Sequence, residues 1–172
     1  MDKYKGIKME LVLNTSSKYE SMVNEILSPL LELLQNLTLL EEEIFERDEA
    51  LEEEKKVLNI SEHQVHPKWE ALMDEYYDRY TDLIEGRVSN KLLSKGYASS
   101  CGVPSNYSYA KGDDFDATFT MKRENLATVV IDYIDVTEMR HKFVLRSSEN
   151  NWLIDEKYYG FAGEDKWYSD RI

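Results

Sequence analysis

Residues 141–155, HKFVLRSSENNWLID, decide the fold of this chain. Phe143 and Leu145 alternate with more polar neighbours, which is typical of a strand with one buried and one solvated face. Turn-favouring residues follow, and a second strand begins at Trp152. The stretch therefore predicts an antiparallel hairpin near the end of a chain whose first half has a helical pattern.

The residues just before this hairpin predict two more strands, because apolar and polar side chains alternate over 115–121 and again over 127–133. Together with strands at 139–146 and 152–159, they predict a four-stranded antiparallel meander. The preceding region, rich in Leu, Glu and Lys, predicts helices. This order predicts an α+β protein with N-terminal helices packed on a curved antiparallel sheet.

The helices are delimited by capping and breaking residues. Ser17 with Glu20 predicts one helix start, and Thr38 with Glu41 predicts a second, over residues 39–58. Pro29 predicts a kink or a restart between them. We therefore expect a helical hairpin, followed by a helix that opens at residues 66–67, carries an apolar face to 84 and gives way to a short helix ended at residue 96.

A heptad-like apolar seam runs through the first helices and favours an alternative, an adaptor that dimerises through a coiled coil. Arg47 and Glu54 occupy the next apolar positions of the seam, so we favour packing on the domain instead. The acid run at 41–54 is interpreted as a solvated helix face. The seam residues are Tyr19, Val23, Ile26, Leu30, Leu33, Leu37, Leu40 and Ile44.

Composition limits the classes of partner. The 172 residues contain 34 acids and 21 bases, a formal net charge of -13. Such a surface is repelled by nucleic acid and anionic membranes and suits a basic protein partner. A single cysteine, Cys101, excludes an internal disulfide, and no signal peptide or membrane-spanning run is visible. We expect one cytoplasmic domain over 1–172, a helical elaboration at 1–66 and a core at 67–172.

The residues that carry a family resemblance are Trp69-Glu70, the segment 102–107, Val129, Phe143 and Leu145 with the segment 152–155, and Lys166-Trp167. Together with the helices and the meander, these stretches, which contain six signature positions, resemble the cone-shaped nuclear-transport-factor-2-like fold, and within it bacterial immunity proteins of the RhsIA type. The resemblance implies that these positions hold the fold together. Trp152 and Trp167 would close the sheet against a helix, and Asp155 would cap a turn at a strand exit or pair with a base. The six are Trp69, Pro104, Tyr107, Trp152, Asp155 and Trp167.

The resemblance implies a non-catalytic immunity protein that neutralises a cognate toxin domain of a bacterial polymorphic toxin system, as a monomer or weak homodimer. A basic toxin would meet acids that stand beside aromatic residues. Two such patches rank first, above the helix face at Glu41, Glu42, Glu43 and Glu46. The first patch is Tyr109, Asp113, Asp114 and Asp116, and the second is Tyr158, Tyr159, Glu164 and Asp165 with Phe161 and Tyr168.

Catalysis is the alternative, since cone folds also host isomerases, dehydratases and small-molecule binders. That function needs a deep cavity lined by His141 or an aspartate such as Asp132. The alternation places His141 in phase with Phe143, which predicts a core histidine. The pair His63 and His66 lacks a convergent ligand set, so we expect neither metal nor cofactor.

Overall fold

The structure is a computed structural model that describes residues 9–97, 102, 105–112, 114–149 and 151–172. Cys101, Pro104 and Asp113, all named above, lie outside the described residues. Six strands and three α-helices are formed there, with 3-10 helices at Ser17–Met22 and Ser108–Lys111. In chain order they are β1 Met9–Leu13, α1 Val23–Val57, α2 Trp69–Ile84, α3 Asn90–Leu93, β2 Phe115–Arg123, β3 Leu126–Ile134, β4 Glu138–Ser148, β5 Asn151–Phe161 and β6 Tyr168–Asp170.

The sheet confirms the α+β class but is larger than predicted. The four predicted strands form β2 to β5, each antiparallel to the next. β6 extends the meander, while β1 pairs with β2 in parallel, so the sheet has six strands and is mixed. The expected number of four strands is wrong at both edges, and the expected antiparallel pairing is wrong only at β1. β1 and β6 are short edge strands whose pairing comes from the rest of the sheet rather than from local pattern.

The first two predicted helices are one helix. α1 continues through Pro29, and Thr38 lies in its interior, where the hydroxyl donates to the Leu34 carbonyl at 2.9 Å instead of capping a new helix. Ser17 likewise begins a 3-10 helix, in which Ser16 is the N-cap residue. The predicted restart is wrong because a long buried leucine face outweighs the hydrogen bond that proline removes. The helical hairpin is formed by α1 and α2.

The apolar seam of α1 is buried inside the monomer. From Val23 to Ile44 every seam residue is buried, in one cluster with α2 and the core face of the sheet. α1 therefore supplies a large part of the core. The dimerising adaptor loses the exposed seam that it would need.

On the sheet, alternate residues point to α1. Phe143 and Leu145 of β4 are buried, as expected, and so are Val129 and Ile131 of β3. The turn to β5 uses a left-handed residue, Glu149, with φ of 51°. We call the buried side the core face and the opposite side the outer face.

Candidate functional site

His141 lies on the core face, between two tyrosines. Its Nδ1 is 2.9 Å from the Tyr109 hydroxyl, and its Nε2 is 3.0 Å from the Tyr133 hydroxyl. Burial and the nearby Lys157 charge lower the pKa of His141 well below its usual value, so the ring is neutral. A neutral imidazole has one donor and one acceptor nitrogen, and both are used here. The prediction of a satisfied core histidine is confirmed.

Lys157 is a second buried polar group beside this histidine. Its ammonium donates to Asp170 at 2.7 Å and to the Arg171 carbonyl at 3.1 Å, and it lies 4.7 Å from the centre of the Tyr107 ring. Burial lowers the pKa of Lys157, while Asp170 opposes that shift. The ammonium thereby ties β6 to the core.

The acids of α1 are largely paired with bases. Arg79 of α2 donates to both oxygens of Glu43, at 2.8 and 2.7 Å, and Arg47 of α1 donates to both oxygens of Glu75, each at 2.7 Å. Further contacts of 3.3 Å between Arg79 and Glu75 and of 3.6 Å between Arg47 and Glu43 close the ring. We call Glu43, Arg47, Glu75 and Arg79 the interhelical ring. Hydrogen bonding to Arg47 lowers the pKa of Glu75 to about 2.

Pairing continues on both sides of this ring. Glu42 contacts Lys111, Glu52 and Glu53 contact Lys55 and Lys56, and Glu54 contacts His66 and Lys68. The run is a solvated helix face, as expected, because most of its acids are exposed, and most of them also contact a base. Arg47 and Glu54, which interrupt the heptad, are the residues that join α1 to α2 and its approach.

Glu41 differs from its neighbours because it is buried. Its carboxylate accepts the Gly102 N–H at 2.9 Å and is also hydrogen-bonded to the Asn106 backbone. Burial raises the pKa of Glu41 to about 7. This carboxylate fastens the segment before β2 to α1, so it is removed from the candidate contact face.

A different set of acids surrounds a groove of about 430 Å³ at one end of the sheet. Beside the groove, the β3–β4 turn exposes Ile134 by 78% and Val136 by 94%. The apolar residues that line the groove include Phe115, Tyr133, Met139 and Ala162. We call this region the acidic end, defined by the exposed acids Asp114, Asp116, Asp135, Glu138, Glu164 and Asp165 around Ile134 and Val136.

Three carboxylates lie in one row across this end. In register, Glu10 of β1 neighbours Asp116 of β2, and Asp116 neighbours Asp132 of β3. Among the described residues, Asp132 is the one of the three that meets a base, Arg140, whose Nε is 2.8 Å away. Like charges on adjacent strands destabilise a sheet, so this row costs stability. No group among the described residues has the arrangement to hold a metal ion.

The acidic end joins the two predicted patches. Tyr133 pairs in register with Met139, and Met139 pairs with Phe161, so the core-face side of this end connects the groove to the C-terminal aromatics. Asp116 and Asp132 line the same groove from the opposite face of the sheet. There Tyr159 stacks on Tyr168 with ring centres 5.1 Å apart. Ala162 N–H donates to the Glu138 carbonyl at 3.1 Å, which brings the turn carrying Glu164 and Asp165 to the start of β4.

Two residues of the predicted patches belong elsewhere. Tyr109 is buried and its ring packs 4.6 Å from that of Tyr133, so it cannot contact a partner. Tyr158 faces the side of β5 opposite Tyr159, where it donates to Glu156 at 2.8 Å and lies 4.6 Å from the Lys142 ammonium. Strand alternation separates these adjacent tyrosines.

The positions expected to hold the fold together have mixed surroundings. Tyr107 is buried below Phe143, and Trp152 packs against the core. Trp69, the first residue of α2, is 38% exposed. Trp167 lies on the outer face, with Arg140 and Lys142 4.8 and 4.5 Å from its ring, rather than between sheet and helix. It fits there because Gly160 beneath it has no side chain.

Asp155 lies inside β5 and not at its exit, at an irregularity in the β4–β5 register. Its carboxylate accepts the Arg146 Nε at 2.8 Å and is 3.5 Å from Lys91 of α3. The expected pairing with a base is confirmed. Its role is to fix α3 against the sheet.

Reasoning from the sequence missed Ile134, Val136 and Glu138. The available signal was two branched apolar residues in a polar turn between strands, where burial is improbable. Comparison of the chain with family models, curated proteins and solved structures gives no match. Within the described residues, none of the helices combines the length and apolarity that crossing a membrane requires.

Proposed function

We propose that this chain is an immunity protein of a bacterial polymorphic toxin system, which binds and neutralises a cognate toxin domain without catalysis, in the cytoplasm. The proposal includes a cone-shaped nuclear-transport-factor-2-like fold. Its support is the order of elements, with a long helix buried by an antiparallel meander, together with the resemblance described above.

The acidic end is the observation that carries the proposal. Exposed Ile134 and Val136 provide apolar contact area, while the surrounding carboxylates attract a basic surface. Among the described residues, Asp116, Asp135 and Glu138 have no basic side chain within ion-pair distance. Charges that remain without internal partners, at a cost in stability, are what a binding surface requires.

The surroundings of His141 favour binding over catalysis. Both ring nitrogens already contact tyrosine hydroxyls, and the side chain is buried. A general acid or base must reach substrate through one of those nitrogens. Asp132, the other candidate, is engaged by Arg140.

The test is co-expression with the toxin domain encoded next to this chain's gene. Wild-type protein is expected to restore growth. The double substitution Asp116→Lys/Glu138→Lys is expected to abolish rescue, whereas the charge-matched control Glu46→Lys/Glu49→Lys on α1 preserves it. Killing of cells that contain soluble wild-type protein would refute the immunity function. Equal behaviour of the two double variants would refute the acidic end as its surface.

A further inference from the structure

A second groove, of about 490 Å³, lies far along the sheet from the acidic end. It is formed where the start of α1, the turn after α2 and the β4–β5 hairpin meet. We call it the Arg87 groove. Its lining is Glu25, Ile26, Pro29, Leu30, Leu33, Glu85, Gly86, Arg87, Leu145, Asn151, Trp152 and Ile154.

Arg87 is held rigidly at this groove. Its backbone N–H donates to Ile84 at 3.0 Å, and its carbonyl accepts the Ile154 N–H at 2.8 Å. The left-handed Gly86 before it, with φ of 71°, is fixed by the Asn151 amide, which donates to the Gly86 carbonyl at 3.1 Å. The backbone that carries the guanidinium is therefore positioned before any ligand arrives.

The Arg87 guanidinium has no hydrogen-bond or ion-pair partner in the part of the chain that the structure describes. Its Nη1 is buried without a hydrogen bond, and within the described ranges no carboxylate oxygen lies at ion-pair distance from it. In a chain with 34 acids this is unusual, and a buried guanidinium nitrogen without a bond costs free energy. Four other arginines each hold a carboxylate: Arg47, Arg79, Arg140 and Arg146.

We infer that the Arg87 groove binds a small organic anion with an apolar body. The anionic group accepts hydrogen bonds from Arg87, since a guanidinium matches the geometry of a carboxylate, sulfonate or phosphate. The apolar body lies along Leu30, Leu33 and Trp152. Glu25 and Glu85 at the wall disfavour ligands with more negative charge than Arg87 can balance.

The experiment uses two fluorescent probes that differ in charge. 8-Anilinonaphthalene-1-sulfonate carries the apolar body and an anion, and N-phenyl-1-naphthylamine carries the same body without the anion. We expect the full chain to bind the sulfonate more tightly. Arg87→Gln should weaken sulfonate binding about tenfold and leave the neutral probe within twofold. Arg123→Gln, which removes an exposed guanidinium elsewhere, is the matched control.

A second variant is expected to bind the sulfonate more tightly, a result that misfolding could not produce. Glu25→Gln removes a repelling carboxylate from the wall and should tighten sulfonate binding about two- to threefold. The inference is overturned if the wild-type chain does not bind the sulfonate, if Arg87→Gln changes both probes equally, or if Glu25→Gln brings no gain. None of these outcomes bears on the immunity function, which is tested at the acidic end.

Discussion

The acids of α1 and the acids of the acidic end have opposite surroundings, although both are clusters of carboxylates on the surface. Glu43 is held by Arg79, and Glu54 lies 3.8 Å from the Lys68 ammonium. Asp116 instead stands between Glu10 and Asp132 in the sheet register. The first cluster joins two helices, and the second repels itself. Acid content alone therefore does not identify a binding surface. What distinguishes the acidic end is that Asp116, Asp135 and Glu138 lack a basic partner among the described residues and occur with exposed Ile134 and Val136.

The largest expected effect concerns the support beneath the acidic end. His141→Leu removes the partner of both tyrosine hydroxyls, that of buried Tyr109 and that of half-buried Tyr133. We expect the free energy of unfolding to fall by about 3 kcal/mol. Urea denaturation followed by circular dichroism measures this change. The triple variant His141→Leu/Tyr109→Phe/Tyr133→Phe should recover part of this loss. If it does not, the loss does not come from the tyrosine hydroxyls.

Glu41 is the exception among the acids of α1, and it predicts a pH effect. Burial raises its pKa from the ordinary 4.5 of a glutamate to about 7, so the folded state binds more protons than the unfolded state between these pH values. Stability from this group is full below pH 4.5 and is lost as pH rises through 7. The free energy of unfolding of Glu41→Gln should therefore increase relative to that of wild type by about 1–2 kcal/mol from pH 5.5 to pH 8, after allowance for solvent screening.

Thermal or urea unfolding of both proteins at the two pH values measures this difference. Glu49→Gln, an exposed acid on the same helix, is the control and should show no such growth. If the free energies of unfolding of Glu41→Gln and wild type change equally between the two pH values, the result would contradict the buried position of this carboxyl group.

The interhelical ring predicts a smaller loss. Arg79→Gln removes two bonds to Glu43 and one contact to Glu75. Because the ring is partly exposed to solvent, we expect a loss of about 1 kcal/mol in free energy of unfolding, diminished at high salt. Chemical denaturation at low and high ionic strength tests this. A salt-independent loss would indicate packing by the arginine stem instead.

The acidic end predicts a change of opposite sign. Asp116→Asn removes the middle charge of the Glu10–Asp116–Asp132 row, so we expect a gain of about 0.5 kcal/mol in free energy of unfolding. Chemical denaturation beside Arg79→Gln provides the comparison. A loss of stability for Asp116→Asn would mean that this carboxylate has a stabilising partner after all.

The sequence was sufficient for elements with strong local periodicity. It predicted β2 to β5, α2 and the burial of His141, because alternation and helical spacing are local properties. It failed at Pro29 and Thr38, where burial along the whole of α1 overrides local breaking signals. β1 was missed because its partner β2 lies far along the chain, and β6 was missed because three residues are too few to show an alternating pattern.

For the candidate site, the sequence identified acids and tyrosines but could not show which of them are exposed and which are paired or buried. Pairing across helices removed Glu43 from the candidates, and burial removed Tyr109. Strand alternation divided Tyr158 from Tyr159. The union of the two patches at Met139 and Phe161 depends on strand register, which no single stretch of sequence contains.

The most direct test of the acidic end is the rate at which the protein associates with the neighbouring toxin domain, measured by stopped flow at low salt. Asp116→Lys/Glu138→Lys should lower the association rate constant by tenfold or more, while Glu46→Lys/Glu49→Lys changes it less than threefold. Equal decreases for the two pairs would mean that only net charge matters and would contradict a binding surface at this end of the sheet.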